Sequence, residues 1–256
     1  MREPWALILG ASSGFGAATC AELARNGFHI YGVHFDRRET LPLAEAVQHT
    51  IREAGRQAVF FNVNAAADDN RRSVIDRIRS DGSQVRVLLH SLALGALKPL
   101  AGTEDVATRR QIETTADVMG HSLVYWARDL VAHGLMRGGG RIFAMTSQGG
   151  SKAVPSYGPV CAAKAILEAH IRQLAIELAP HGITANAILA GVTDTPALRR
   201  IPGHEKLMAH ALARNPHGRL TTPADVARCI AVLCHANTYW MTGNTIHVDG
   251  GEGTVG

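Results

Sequence analysis

Short, unbroken apolar runs alternate with amphipathic stretches along almost the whole chain. Residues 5–9 read Trp-Ala-Leu-Ile-Leu, and comparable runs recur at 28–33, 58–63, 85–89, 141–146, 184–189 and 245–248. Each is too short for an ordinary helix, and such near-continuous hydrophobic runs suit strands buried on both faces. Between them, residues 17–26, 43–54, 67–80, 107–133, 160–179, 203–213 and 223–234 are rich in helix formers, several with the three-to-four-residue apolar spacing of a helix with one buried face. Strict strand–helix alternation predicts an α/β protein: a single-domain Rossmann fold, with a seven-stranded parallel sheet flanked by helices on both faces and joined by right-handed crossovers. In such sheets ligands bind beyond the carboxyl ends of the strands, where the strand order reverses. No linker, repeat or low-complexity stretch divides residues 1–256, which read as one domain.

Composition narrows the class. The first apolar run is too short for a membrane span or a signal segment, so a cytoplasmic protein with no membrane partner is expected. Cys20, Cys161, Cys229 and Cys234 lack paired metal-ligand spacing; they read as reduced, mostly buried side chains, with no metal. The net charge of +4 is not a nucleic-acid signal. Arg71, Arg72, Arg77 and Arg79 alternate with Val74, Ile75 and Ile78, as on a solvated helix face beside a buried one. A later cluster, Arg199, Arg200, His204, Lys206, His210, Arg214, His217 and Arg219, is suited either to attract a phosphate-bearing substrate or simply to solvate a helical insertion.

Chemistry enters with a glycine cluster directly after the first strand. Gly10-Ala-Ser12-Ser13-Gly14-Phe15-Gly16 precedes a helix-forming stretch that closes at Gly27. Strand, tight turn and helix in this order let the backbone approach a pyrophosphate and present free N–H groups at a helix amino terminus. The end of the second strand bears on the choice of cofactor. An acid about 20 residues beyond the glycine turn suits the ribose 2′-hydroxyl of NAD, whereas arginine suits the 2′-phosphate of NADP. Here the chain reads His34-Phe35-Asp36-Arg37-Arg38. Arg37, then Arg38, are read as phosphate ligands, which favours NADPH over NADH. If both are merely exposed loop charges, Asp36 selects NADH instead.

Tyr157 and Lys164 stand seven positions apart. On one continuous helix such residues lie about 20° from alignment, one some 4.5 Å further along the axis than a pair four apart. Pro159 suits the first turn of a helix, so the helix is expected to begin there, with Tyr157 on the loop before it. Ser147, at the end of the fifth strand, is a third candidate, although serine at a strand end often only caps the backbone.

These pieces together resemble the short-chain dehydrogenase/reductase family over nearly the whole chain. The likeness rests on the glycine cluster, Asn62-Val63, the strand ending at His90, Ser147, Tyr157 with Lys164, Asn186-Ala-Ile-Leu-Ala-Gly191 and Val248-Asp-Gly-Gly251. It implies that Asn62 and Val63 lie by the adenine and that Ser91, Leu92 and Ala93 line the cofactor. Lys164 would hold the nicotinamide ribose, and Gly191, Val192 and Thr195 would stand near the carboxamide and phosphates. Two departures point to one branch. Most members space tyrosine and lysine by three residues, whereas Val160 occupies that tyrosine position here; and His90-Ser91-Leu92-Ala93 replaces the usual Asn-Asn-Ala-Gly. Both resemble the NADPH-dependent enoyl-acyl carrier protein reductase type III branch. Asp117 stands where ordinary members carry a relay asparagine.

The resemblance implies hydride transfer to the β-carbon of a 2-enoyl thioester carried on acyl carrier protein or coenzyme A. Tyr157 would donate a hydrogen bond to the developing enolate. A nearby Lys164 ammonium would draw the phenol pKa down, and Ser147 would orient substrate or share the oxyanion. Residues 196–220 are expected to cover the substrate. A homo-oligomer, tetramer or dimer, is implied as well. The competing readings are a carbonyl or 3-oxoacyl thioester reductase and an NADPH-binding module without turnover.

Overall fold

A computed structural model describes residues 3–255 of the chain. One sheet holds seven parallel strands: β1 (Trp5–Leu9), β2 (His29–His34), β3 (Ala58–Asn62), β4 (Val85–His90), β5 (Arg141–Thr146), β6 (Thr184–Ala190) and β7 (Thr245–Val248). Their order is β3-β2-β1-β4-β5-β6-β7. The helices are α1 (Gly14–Arg25), α2 (Leu41–Glu53), α3 (Asp68–Ser80), α4 (Arg109–Ala116), α5 (Ser122–Ala132), α6 (Gly158–Glu177), α7 (His204–Arg214) and α8 (Pro223–Leu233).

The strands are apolar on both sides because both sides are covered. Leu7, Leu9, Leu88 and Ile142 face α3, α5 and α6 through Ile75, Trp126 and Leu167. The alternate residues Ala6, Ile8, Val87 and Phe143 face α1 and α8 through Leu23, Val226 and Ile230. With a side-chain period of two, a one-residue slip would exchange the two faces, so the pairing register is fixed by packing. Each fully buried Leu or Ile contributes about 1.5–3 kcal/mol.

Strand order reverses between β1 and β4, so the turn after β1 and the loop after β4 meet at one crevice. At Gly10, φ is +90°, and a Cβ there would collide with the Ser91 carbonyl oxygen. A Cβ at Gly16 would collide with the Gly10 carbonyl oxygen, so α1 sits directly on the turn. Both glycines are required by close approach, and Gly10 by its backbone angle as well.

One expectation is refined and one corrected. The helix expected at 107–133 runs unbroken over 109–132, but a π-helical turn, Asp117–His121, joins α4 to α5 within it. At its centre Gly120 leaves no room for a side chain, since a Cβ would stand 2.9 Å from Ile166 Cγ2 and 3.1 Å from the Ala163 carbonyl of α6. Arg71 is not part of a solvated face. It is 4% exposed, and its Nε donates to Asp129 at 2.7 Å.

Candidate active site

The turn between β1 and α1 is built as a cradle. Gly10 and Ala11 donate to the Val33 carbonyl at 2.8 and 3.0 Å, which locks the turn against β2. Ser13 is the N-cap of α1, and its side chain makes no capping bond, so the first-turn N–H groups are not consumed by a cap. Thr195 flanks the same place: a Cβ at Gly14 would lie 3.6 Å from its Cγ2. Glycines without room for Cβ atoms, an uncapped helix start and the crevice at the strand-order reversal fit a dinucleotide pyrophosphate.

At the end of β2 the polar groups form a network. The Asp36 carboxylate stands 2.8 Å from His34 Nδ1 and also receives hydrogen bonds from Ser12 and Thr40. Burial pushes its pKa up, but those bonds outweigh burial and hold it below the usual carboxylate range. Asn62 braces the same corner, accepting from the Asp36 N–H at 2.8 Å and donating to its carbonyl at 3.0 Å. Val63 donates to the His34 carbonyl at 2.8 Å. Arg37 and Arg38 are exposed, and neither guanidinium bonds any described residue.

Ser147, Tyr157 and Lys164 come together at the carboxyl end of β5. Tyr157 lies just outside α6 as its N-cap, after Ser156 at φ +55°, so the ring is carried by a constrained loop. The Ser147 Oγ accepts from the Gly149 N–H at 3.3 Å and gives its own proton to the Tyr157 phenol. A Cβ at Gly149 would stand 3.1 Å from both Tyr157 Cε1 and Cys161 Sγ, so the groups close around this glycine. Lys164 is buried in α6 and donates to the Met145 carbonyl at 2.7 Å.

Burial dominates the protonation states. It pushes the Tyr157 pKa above the ordinary phenol value; the Ser147 hydrogen bond draws it partly back, and Cys161 adds to the rise. The expected lowering by Lys164 is therefore corrected: the phenol keeps its proton, and Lys164 is not among the groups that act on it. Lys164 itself falls to about 8, because burial penalises the ammonium more than the Glu168 carboxylate supports it. His90, fully buried at the end of β4, falls to about 3 through burial and then the Lys164 charge. Its Nε2 is 2.8 Å from the Ser122 hydroxyl, which donates to the Val118 carbonyl. The ring nitrogen therefore donates, and Nδ1 keeps a buried lone pair without a partner among the described residues.

An apolar cluster surrounds the ring of Tyr157: Val118, Met119, Val160 and Ala163, with Leu92 and Leu97 from the loop after β4. Leu92 links it to the cradle, since a Cβ at Gly10 would lie 3.7 Å from its Cδ2. Ala93 is exposed on the same loop. Asp117 turns the other way. Its carboxylate accepts from the Tyr125 hydroxyl at 3.2 Å and lines a separate cleft of about 400 Å³ with Asp68, Arg71 and Arg128. After β6, Gly191 packs against Thr221 and Glu252, and the Val192 N–H donates to Glu252 at 3.0 Å.

The late basic cluster is partly neutralised. Asp194 binds Arg199 through both oxygens at 2.7 and 2.8 Å, and Asp225 holds Arg219 at 2.7 and 3.1 Å. Only Arg200 and Lys206, of its arginines and lysine, remain exposed without a described partner. Sequence reading missed Glu168, Gln148 and Glu252. Glu168 carried a signal, being one helical turn beyond Lys164 on the same face; its Oε1 accepts from Thr146 at 2.7 Å. Glu252 and Gln148 had none, because nothing local brings distant polar residues to one loop.

A family model described as enoyl-(acyl carrier protein) reductase matches residues 10–252. The crystal structure of the NADH enoyl-[acyl-carrier-protein] reductase from Aquifex aeolicus superposes with a TM-score of 0.86 at 27% identity, covering 99% of this chain and 97% of that one. The enoyl-[acyl-carrier-protein] reductase [NADPH] FabI of Staphylococcus aureus strain MRSA252 is 30% identical over 76% of this chain and 75% of its own length. The 3-oxoacyl-[acyl-carrier-protein] reductase FabG of Haemophilus influenzae is 27% identical over 98% of both chains.

Proposed function

The chain belongs to the short-chain dehydrogenase/reductase family, in the group described as enoyl-(acyl carrier protein) reductase, and from that membership we propose that it reduces a 2-enoyl thioester with NADPH. The observation that carries this reading is the half-buried, protonated Tyr157 phenol, donated to by Ser147 and packed against an apolar cluster beside the cofactor crevice. The fit of the crevice to a dinucleotide supports a bound nicotinamide, which supplies hydride to the substrate β-carbon. Negative charge then gathers on the thioester oxygen, and a hydrogen-bond donor aimed at that oxygen lowers the barrier. Tyr157 is that donor. Ser147 orients the phenol, while Lys164 holds the ribose hydroxyls with the ammonium donors that the Met145 carbonyl leaves free. The walls formed by Leu97, Met119 and Val160 exclude water and strengthen the donor bond.

NADPH is preferred over NADH in this reading because Arg37 and Arg38 are free to fork onto a 2′-phosphate, while Asp36 is already engaged by Ser12, Thr40 and His34. Residues 196–220 cover the acyl chain, and the carrier is acyl carrier protein or coenzyme A. The protein acts in the cytoplasm as a homo-oligomer, dimer or tetramer. A second reading, 3-oxoacyl thioester reduction, draws support from the full-length likeness to the Haemophilus influenzae reductase; Tyr157 would then protonate an alkoxide.

Tyr157→Phe tests the assignment. Turnover should fall at least about 100-fold, the usual cost of losing one oxyanion donor. The NADPH dissociation constant should stay within about two-fold, since the phenyl ring keeps its packing. Equal losses in both quantities would remove Tyr157 from its role.

A further inference from the structure

Glu252 lies in the last helical turn, Glu252–Thr254, and is 4% exposed. A carboxylate is buried at a desolvation cost, so its partners are informative. Its Oε2 accepts from the Val192 N–H at 3.0 Å, at the start of the loop that leads to Thr195. Its Oε1 accepts from Gln148 Nε2 at 3.4 Å, next to Ser147. Nothing separates it from the loop backbone: a Cβ at Gly191 would stand 2.9 Å from Oε2 and collide with the Thr221 hydroxyl.

The turn that carries Glu252 is itself tied down. The Asp249 carboxylate accepts from the Gly251 and Gly253 N–H groups at 3.0 and 2.9 Å. Asn215, just after α7, donates to the Asp249 carbonyl at 3.0 Å, and Arg214 donates to the Val255 carbonyl. The loop after β6 and the Ser147 turn thus converge on the Glu252 carboxylate, and the far end of the 196–220 segment is tied to the turn that carries it. Burial pushes the Glu252 pKa up, the Val192 N–H draws it back and Asp249 adds to the rise.

We propose that Glu252 is a positioning residue: its carboxylate holds the 191–195 loop and the Gln148 turn in the geometry that receives the nicotinamide end of the cofactor, while the turn that carries it is tied to the end of the 196–220 segment. The proposal rests on the reading of this crevice as the nicotinamide site.

The test uses the full chain as wild type, Glu252→Ala and Glu252→Gln. NADPH and NADH dissociation constants, kcat, KM for an enoyl thioester and the melting temperature are measured for each. Glu252→Ala should weaken cofactor binding about ten-fold, equivalent to about 1.4 kcal/mol. Glu252→Gln should restore binding to within about three-fold, because the amide oxygen still accepts from Val192. A purely structural residue would lower the melting temperature without this selective, rescued loss measured well below it. Unchanged cofactor binding in Glu252→Ala, or Glu252→Gln as weak as Glu252→Ala, overturns the proposal while the assigned reaction stands. A wild-type chain that binds neither cofactor overturns both.

Discussion

Raising the pH through the Lys164 titration should make the free protein more stable while it becomes less active. Burial brings the Lys164 pKa from the ordinary 10.5 to about 8. At about 1.4 kcal/mol per pH unit, carrying this ammonium costs the folded state about 3 kcal/mol. The sign follows from the depressed folded value. Between pH 8 and 10.5 the unfolded chain binds the proton and the folded chain does not, so stability rises across that window. Below pH 8 the cost is fully present. Activity runs the opposite way if the ammonium is the working form: the charged fraction falls to about one tenth by pH 9, and kcat/KM, which reports free-enzyme groups, should fall about ten-fold. The assay pairs a kcat/KM profile from pH 6 to 10 with denaturant unfolding at the same pH values, without cofactor. Lys164→Met removes the titrating group and should flatten the stability window at low activity. Activity independent of pH up to 10, or activity and stability falling together, would refute the argument.

Separate features give further outcomes. Arg37→Ala and Arg38→Ala should raise the NADPH dissociation constant about ten-fold, together or singly, and leave NADH unchanged; equal effects on both cofactors would make them ordinary loop charges. Asp129→Ala leaves the buried Arg71 guanidinium without its closest partner and should cost about 3–5 kcal/mol in denaturant unfolding, whereas replacing both partners, Arg71→Met with Asp129→Leu, should be close to neutral. A loss below about 1 kcal/mol for Asp129→Ala would show that Asp68, 2.8 Å from Arg71 Nη1, suffices alone.

The fold was legible because the five central strands are buried on both faces and the helices announce themselves by spacing. The glycine turn was legible for the same reason: Gly10 and Gly16 are needed by local geometry that sequence order dictates. The π turn at Asp117–His121 within the expected helix was not, since Gly120 there packs on α6, a contact between helices distant in sequence. Arg71 misled because its local pattern is that of a solvated face, and only Asp129 on another helix explains its burial. Protonation was misjudged at Tyr157 because spacing gives neither distance nor dielectric: burial dominates there, and Ser147 and Cys161, not Lys164, are the groups that act on the phenol.

The central claim, enoyl reduction, is tested most directly by following NADPH oxidation with crotonyl-CoA and a longer trans-2-enoyl thioester, beside acetoacetyl-CoA and with NADH as the control cofactor. Enoyl turnover exceeding that of the oxo substrate, and faster with NADPH than NADH, is the predicted result. Turnover of acetoacetyl-CoA alone would contradict it and make the chain a ketoreductase working through the same Ser147, Tyr157 and Lys164.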